Sequence, residues 1–463
     1  MRKLFAFVLS ISLLLGCLGL SLRAAPAGAT EPFRVVSTFY DEGAQGFHWY
    51  TLEDCESVVV INGRTYTGSC KKFKDYYAHS VVADGLDPGT AYTYQIGDFT
   101  GTFRTDPGRG VPVSFIVNGD VQASAPDGFA YSARTVDAAW DKFQDAAFDV
   151  ILGDFTNECD NERWDMYFDA FRGNHAKGTL VPIAGNHDGD GKLNWFRSMF
   201  TFREQRNFMN VSGVYYSFDY GDAHIAVLNS NDTYPMSMPQ RNWLINDMKQ
   251  TDAKWKIIFL HRGFYSAGAG ARKIDVLLLR RALLPIIDDL GIDLVMYGHD
   301  HQYYRSEPVK GDMPVGAASQ SGTARDMTYV DPKGTVYILP GAACDKRYGL
   351  NPLRLPCVSE CAAVHEEPGM PMFTNISING GTLTYKAYTY DPESGESEQY
   401  DTITLRKTSF SQPDPNYRPL RTDYVTTLPS YFMNLVPVLY GALVTDYIGN
   451  GFFRNWLEKQ FGM

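Results

Sequence analysis

From position 111 onward, short, mainly apolar runs alternate with longer stretches whose apolar residues recur at helical spacing. The runs at 113–118, 150–152, 180–184, 223–229, 256–260 and 294–297 have strand length and no polar alternation, as strands covered on both faces do. Residues 127–147 and 276–290 read as helices between them, and 336–340, 382–390 and 402–405 as further strands. This alternation predicts a layered α/β domain over 111–407. The chain before it reads differently. Runs at 33–38, 57–61, 76–82, 92–96 and 101–105 are separated by turn-forming residues, of which 83–90 is the densest, and no long helical pattern intervenes. That predicts a small all-β sandwich over 30–106, with Asp106-Pro107-Gly108-Arg109-Gly110 as the linker.

The two ends carry other signals. Arg2 and Lys3 precede an apolar run to about Leu22, and Ala27-Gly28-Ala29 has the small-x-small pattern of a cleavage site. Residues 1–29 therefore read as a signal peptide, and the protein as extracytoplasmic (secreted, periplasmic or cell-surface). A membrane anchor and lipid attachment at Cys17 are the rival readings. At the other end, 408–463 forms an extension in which 432–445 is apolar and uncharged. Fourteen residues fall short of the roughly 20 that a spanning helix needs, so a helix packed on the main domain is expected, with contact at a membrane surface as a minor alternative.

The seven cysteines include six outside the leader: Cys55, Cys70, Cys159, Cys344, Cys357 and Cys361. In an exported chain an even number implies disulfides, with Cys55–Cys70 the simplest pair and Cys159–Cys344 a second guess. Asn210, Asn231 and Asn375 fit the glycosylation pattern. A net charge of −11 opposes non-specific nucleic-acid binding, which needs clustered cations, but leaves small anionic substrates open if a metal supplies local positive charge.

The chemistry lies where strands end. Gly119-Asp120-Val121-Gln122, Gly153-Asp154-Phe155-Thr156-Asn157, Gly185-Asn186-His187-Asp188, His261-Arg262 and Gly298-His299-Asp300-His301 each follow an apolar run. Strand carboxyl ends are where open α/β sheets bind ligands. Taken singly, a Gly-Asp is a turn and a lone histidine belongs to a core; five such pieces in succession are not explained that way. Asp120, Gln122, Asp154, Asn186, His261, His299 and His301 offer too many donors for one tetrahedral ion, and suit two ions sharing a carboxylate. Mixed imidazole and oxygen donors favour Fe, Zn or Mn over calcium. Two adjacent ions generate hydroxide at neutral pH and clamp an in-line displacement, which points to phosphate-ester hydrolysis. His48, His79, His175, His224 and His365 lack such a setting and read as structural.

This ordered set resembles the calcineurin-like metallophosphoesterases, whose catalytic domain is a β-sandwich flanked by helices. Residues 79–94 with Phe103-Arg104-Thr105, and Tyr304-Arg305 after Gly-His-x-His, resemble the purple acid phosphatases with their fibronectin type III-like N-terminal domain. The resemblance covers about 33–407. It implies that Asp154 bridges two metals, that Asp120, His301 and Gln122 hold the first, and that Asn186, His261 and His299 hold the second. It further implies that His187 acts beside the substrate with Asp188 orienting it, and that Asn157 and Arg262 lie near the phosphate.

Two positions depart from the purple subgroup. Asn157 stands where those enzymes carry the tyrosine that colours ferric iron, so no purple chromophore is expected, and Gln122 is a weaker ligand than imidazole. The expected function is an acid phosphatase-like hydrolase acting on small-molecule phosphate esters. A phosphodiesterase or nucleotidase of the same superfamily, and a non-catalytic surface-binding protein with a structural metal site, remain the alternatives. The loops at 190–210 and 307–332 carry no signature that separates monoesters from diesters, and nothing in the chain specifies an oligomeric state.

Overall fold

A computed structural model of the chain describes residues 28–189, 194–203, 205, 214–231, 238–266, 268, 270–351 and 355–422, with 435–436 and 439–440 beyond them. Nearly all of the 1–29 leader, Asn210 and most of the apolar 432–445 segment lie outside the described residues. Among those described, no helix is long and apolar enough to cross a membrane.

Eight strands open the chain: β1 (Phe33–Asp41), β2 (Ala44–Thr51), β3 (Val58–Ile61), β4 (Arg64–Thr67), β5 (Ser69–Phe73), β6 (Tyr76–Ala83), β7 (Ala91–Ile96) and β8 (Phe99–Arg104). They form two sheets, β1-β2-β6-β5 and β4-β3-β7-β8, closed over a core of Val35, Phe47, Trp49, Val59, Val81, Tyr94 and Phe103. The turn-rich sequence gave no sign of β2, and the burial explains why. Phe47 and Trp49 enter the sandwich core, while His48 and Tyr50 on its other face are covered too, so no polar alternation marks the strand.

The sandwich has its own core but not its own edge. β9 (Val113–Asn118), β10 (Phe148–Ile151) and β11 (Thr179–Pro182) are parallel neighbours, and β1 pairs in parallel with β11, Thr38 opposite Leu180. One sheet therefore runs across the boundary expected near residue 106, and Val36, Phe39 and Tyr50 from before it belong to the main core.

A second sheet faces β9–β11. It contains β12 (Tyr216–Tyr220), β13 (Ala223–Val227), β14 (Trp255–Arg262), β15 (Leu294–Gly298) and β16 (Tyr303–Ser306). A short hairpin of β17 (Val309–Lys310) and β18 (Met313–Pro314) follows. Next come β19 (Ala317–Thr323), β20 (Asp326–Pro332), β21 (Val336–Pro340), β22 (Ala362–Glu366), β23 (Met372–Asn379), β24 (Thr382–Tyr390) and β25 (Ser397–Arg406). The second sheet runs β12-β13-β14-β15-β21-β16-β22; the first runs β19-β20-β25-β24-β23-β9-β10-β11-β1-β2-β6-β5.

Residue alternation in the second sheet accounts for the apolar runs. Ile225, Ile257, Met296 and Ile338 point between the sheets, whereas Ala226, Ile258, Val295 and Tyr337 point outward. The outward set packs with Leu244, Leu277, Leu283 and Ile287 from the covering helices.

Seven helices of at least six residues occur among the described residues: α1 (Pro126–Lys142), α2 (Asn161–Ala170), α3 (Arg172–Lys177), α4 (Asn194–Met199), α5 (Met238–Gln250), α6 (Ile274–Leu290) and α7 (Pro356–Cys361). Pro126 starts α1, where its missing N–H costs nothing, and Phe129, Ala133, Val136 and Trp140 form the buried stripe. The helix stops five residues before the expected 147: Phe143 leaves helical backbone, and the Ala147 amide bonds to the Ser114 carbonyl of β9. Helix α5 had no apolar signature: its buried positions include Gln240, Arg241 and Asn242, whose polarity conceals the periodicity.

Candidate metal centre

The segments following β9, β10, β11 and β15, with the last residues of β14, bring the strand-end residues of both sheets together. His301 Nδ1–H donates to the Lys346 carbonyl at 2.9 Å, which leaves the lone pair on Nε2. That atom faces Asp120 Oδ2 at 2.9 Å and Gln122 Nε2 at 3.0 Å. His261 repeats the arrangement. Its Nδ1–H donates to the Leu152 carbonyl at 2.8 Å, and Nε2 faces Asn186 Oδ1 at 3.1 Å and Asp154 Oδ2 at 3.3 Å. Donor atoms of Asp154, His261 and His299 lie within 4.8 Å of one another. The two groups meet at His299, whose backbone N–H donates to Asp120 Oδ1 at 2.9 Å.

This donor set fits metal. Two buried imidazoles have one nitrogen pinned to a backbone carbonyl, the support that orients histidine ligands, and the other aimed at oxygen. A lone pair against a carboxylate oxygen is repulsive unless a cation, or a proton in its place, lies between them. Burial opposes protonation of His261, yet the Asp154 carboxylate outweighs it and holds the ring up at about 9. His301 is raised in the same way by Asp120. Burial, reinforced by the charge of His261, pushes His299 down to about 3, so it presents a neutral ring. Gln122 Oε1 is a buried acceptor with no hydrogen-bond partner among the described residues, and so is available to a cation.

Backbone conformation marks the same positions. Asp154, His299 and His301 adopt φ of 52°, 79° and 50°, a region that costs side-chain-bearing residues roughly 1–3 kcal/mol each. Two glycines make the close approach possible. A Cβ on Gly185 would lie 2.0 Å from the Asp154 nitrogen, and one on Gly298 would lie 2.2 Å from Asp120 Oδ1. Gly185→Ala is therefore expected to cost about 1–3 kcal/mol by overpacking and to reduce bound metal, as read by urea unfolding and elemental analysis. A variant with unchanged midpoint and metal content would show that the Asp154 loop yields freely.

Asp188 does not contact the His187 ring. Its carboxylate accepts backbone N–H bonds from Asp154 and Gly185 at 2.8 Å and from Phe155 at 2.7 Å, fixing the turn that carries Asp154. Burial and the neighbouring Asp154 charge raise it to about 8, against the pull of those amides. The ring of His187 is oriented by a backbone group instead: Nδ1–H donates to the Asn157 carbonyl at 2.7 Å, while the His187 backbone N–H donates to Asp154 Oδ1 at 2.9 Å. Asn157 directs its side chain to Ser124 Oγ at 3.0 Å and to Lys346 Nζ at 3.5 Å. Arg262 pairs with Asp275 at the start of α6, 3.3 Å away, and burial lowers its pKa.

Residues 341–349 were missed from the sequence, although they too follow a strand. Asp120's carbonyl accepts the amides of Ala343 and Cys344, Gln302 Nε2 donates to the carbonyls of Tyr348 and Gly349, and Tyr348 stacks on His301 with centroids 4.5 Å apart. β21 lies parallel to β15, so its end reaches the same edge. Applying the strand-end rule to the 336–340 run would have found the segment.

Other expectations change. Cys55, Cys70, Cys344 and Cys361 are free thiols, so neither Cys55–Cys70 nor Cys159–Cys344 is joined. Asn375 is buried in β23, with Nδ2 donating to Ser114 Oγ and the Phe115 carbonyl, and Asn231 Nδ2 donates to the Ala184 carbonyl. Neither nitrogen is presented for a glycan. His48 and His175 are buried and held down at about 3, chiefly by burial. His224 sits between Asp219 and Asp247, which raise it to about 9 against the opposing effect of burial.

Residues 113–303 match the family profile described as calcineurin-like phosphoesterase. An uncharacterised protein of Mycobacterium tuberculosis is 25% identical over 325 residues, covering 62% of this chain and 61% of its own. Purple acid phosphatase 21 of Arabidopsis thaliana is 26% identical over 250 residues, covering 50% and 54%. The chain thus spans less than two thirds of the length of these relatives. Among solved structures, a purple acid phosphatase from yellow lupin seeds superposes with a TM-score of 0.66 at 16% identity, over 81% of this chain and 74% of that one. The fold is accordingly the purple acid phosphatase-like α/β fold with large mixed sheets.

Proposed function

We propose that the chain is an exported, dinuclear metal-dependent phosphoesterase that hydrolyses phosphate esters of small molecules. The observation that carries this reading is the pair of buried imidazoles, His261 and His301, pinned through Nδ1 and facing oxygen donors through Nε2. Asp120, Gln122 and His301 would hold one ion and Asn186, His261 and His299 the other, with Asp154 between them; Fe, Zn and Mn suit these donors. Such ions, when bound, supply Lewis acidity to the phosphate and lower the pKa of the attacking water.

The chain's own residues do the rest. His187, with Nδ1–H committed to the Asn157 carbonyl, keeps Nε2 for giving a proton to the leaving oxygen or for steadying charge that develops there. Asp188 holds the backbone of Asp154 in place. The sandwich of β1–β8, with its separate core, supports a fibronectin type III-like assignment of that segment. Export through the 1–29 leader belongs to the same proposal.

Steady-state turnover of p-nitrophenyl phosphate and its bis-ester, with and without chelator, tests the reading. Chelation is expected to abolish activity, and Zn, Fe or Mn to restore it. No turnover of either ester across pH 5–9 with any of these metals would favour the surface-binding alternative.

A further inference from the structure

The segment after β21 puts a cation at the rim of this site. The Lys346 carbonyl is held by His301 Nδ1–H and by Arg347 Nη1–H, each at 2.9 Å, so the base of its side chain is fixed to the metal-ligand framework. Its ammonium lies 3.5 Å from Asn157 Oδ1 and 5.5 Å from the centroid of the Tyr348 ring. The Asn157 amide is anchored in turn by its bond to Ser124 Oγ, and the Asn157 carbonyl receives the His187 ring. One residue therefore holds both the lysine and the histidine, through its side-chain and main-chain oxygens. Among the described residues no carboxylate makes an ion pair with Lys346.

We propose that Lys346 binds a non-bridging oxygen of the substrate phosphate and selects phosphate monoesters over diesters, with Asn157 as its positioning residue. The inference rests on the phosphoesterase reading above and names its substrate class. A monoester carries three non-bridging oxygens and two negative charges near neutral pH; a diester carries two oxygens and one charge. An ammonium held at Asn157, whose carbonyl also receives the His187 ring, favours the species with the additional oxygen and charge. Asn157 suits the task because its amide oxygen can hold an ammonium without neutralising it, which a carboxylate at that position would do.

The test is Lys346→Met, which keeps length and removes charge, assayed on p-nitrophenyl phosphate and bis(p-nitrophenyl) phosphate with metal content measured alongside. Monoester kcat/KM is expected to fall roughly 10- to 100-fold, the size of one charge-assisted hydrogen bond, while diester kcat/KM moves less than about threefold. Metal content should be unchanged, and Lys346→Arg should recover part of the monoester activity. Asn157→Ala should raise KM for the monoester more than it lowers kcat. Equal loss on both esters, no loss on either, or loss of metal from Lys346→Met would overturn the proposal. If the native chain hydrolyses neither ester, the phosphoesterase reading has failed on its own. Calorimetric binding of inorganic phosphate then decides the role of Lys346: weaker binding by Lys346→Met supports it, and equal affinity overturns it.

Discussion

Replacing Asp154 with alanine is expected to abolish turnover and release metal. Its carboxylate lies at the centre of the His261 half of the site: Oδ2 faces His261, Oδ1 accepts the His187 amide, and the His299 donor lies within the same cluster. Burial opposes its ionisation, but His261 and His187 outweigh that and hold the carboxyl well below the usual carboxylate range. The charge is thus maintained where two cations would need it. Lewis-acid stabilisation is worth several kcal/mol, and each 1.36 kcal/mol is tenfold in rate, so a loss on the order of 10³-fold or more is expected. Elemental analysis of the variant should show less metal than the native chain. Asp154→Asn is the informative companion, since asparagine tolerates the φ of 52° and still accepts the His187 amide while lacking the charge. Asp154→Ala protein that keeps its metal and its rate would show that this carboxylate does not bridge the ions.

The legible and illegible parts of this molecule divide along physical lines. Strands buried on both faces announced themselves as mainly apolar runs, and because those runs are short their ends were sharp, so Asp120, Asp154, Asn186, His261, His299 and His301 could be picked out before any coordinates. Elements whose burial is not apolar stayed hidden. Helix α5 buries Gln240, which bonds both the Asn229 amide and carbonyl, and β2 buries polar and apolar residues alike. Adjacency in sequence misled in the case of Asp188: neighbouring residues in a tight turn face different ways, and its carboxylate reaches across to the turn after β10 while the ring beside it bonds to Asn157. The 341–349 segment failed to register because it contributes through carbonyls and a stacked ring, and backbone acceptors leave no residue-type signature.

His187→Ala should separate proton transfer from metal binding. His187 touches Asp154 only through its backbone amide, which alanine retains, and its ring is outside the metal-donor cluster. Metal content and fold should therefore survive, while kcat falls by roughly 10²–10⁴-fold, the range for loss of a positioned general acid. The leaving group decides which part the ring plays. A nitrophenolate departs without a proton, whereas an alkoxide needs one, so a proton donor at Nε2 predicts a larger loss on glycerol phosphate than on p-nitrophenyl phosphate. Equal losses on the two esters would assign His187 to stabilising charge on the phosphate instead. Loss of the metal ions from this variant would contradict both roles, because it would place the ring among the ligands.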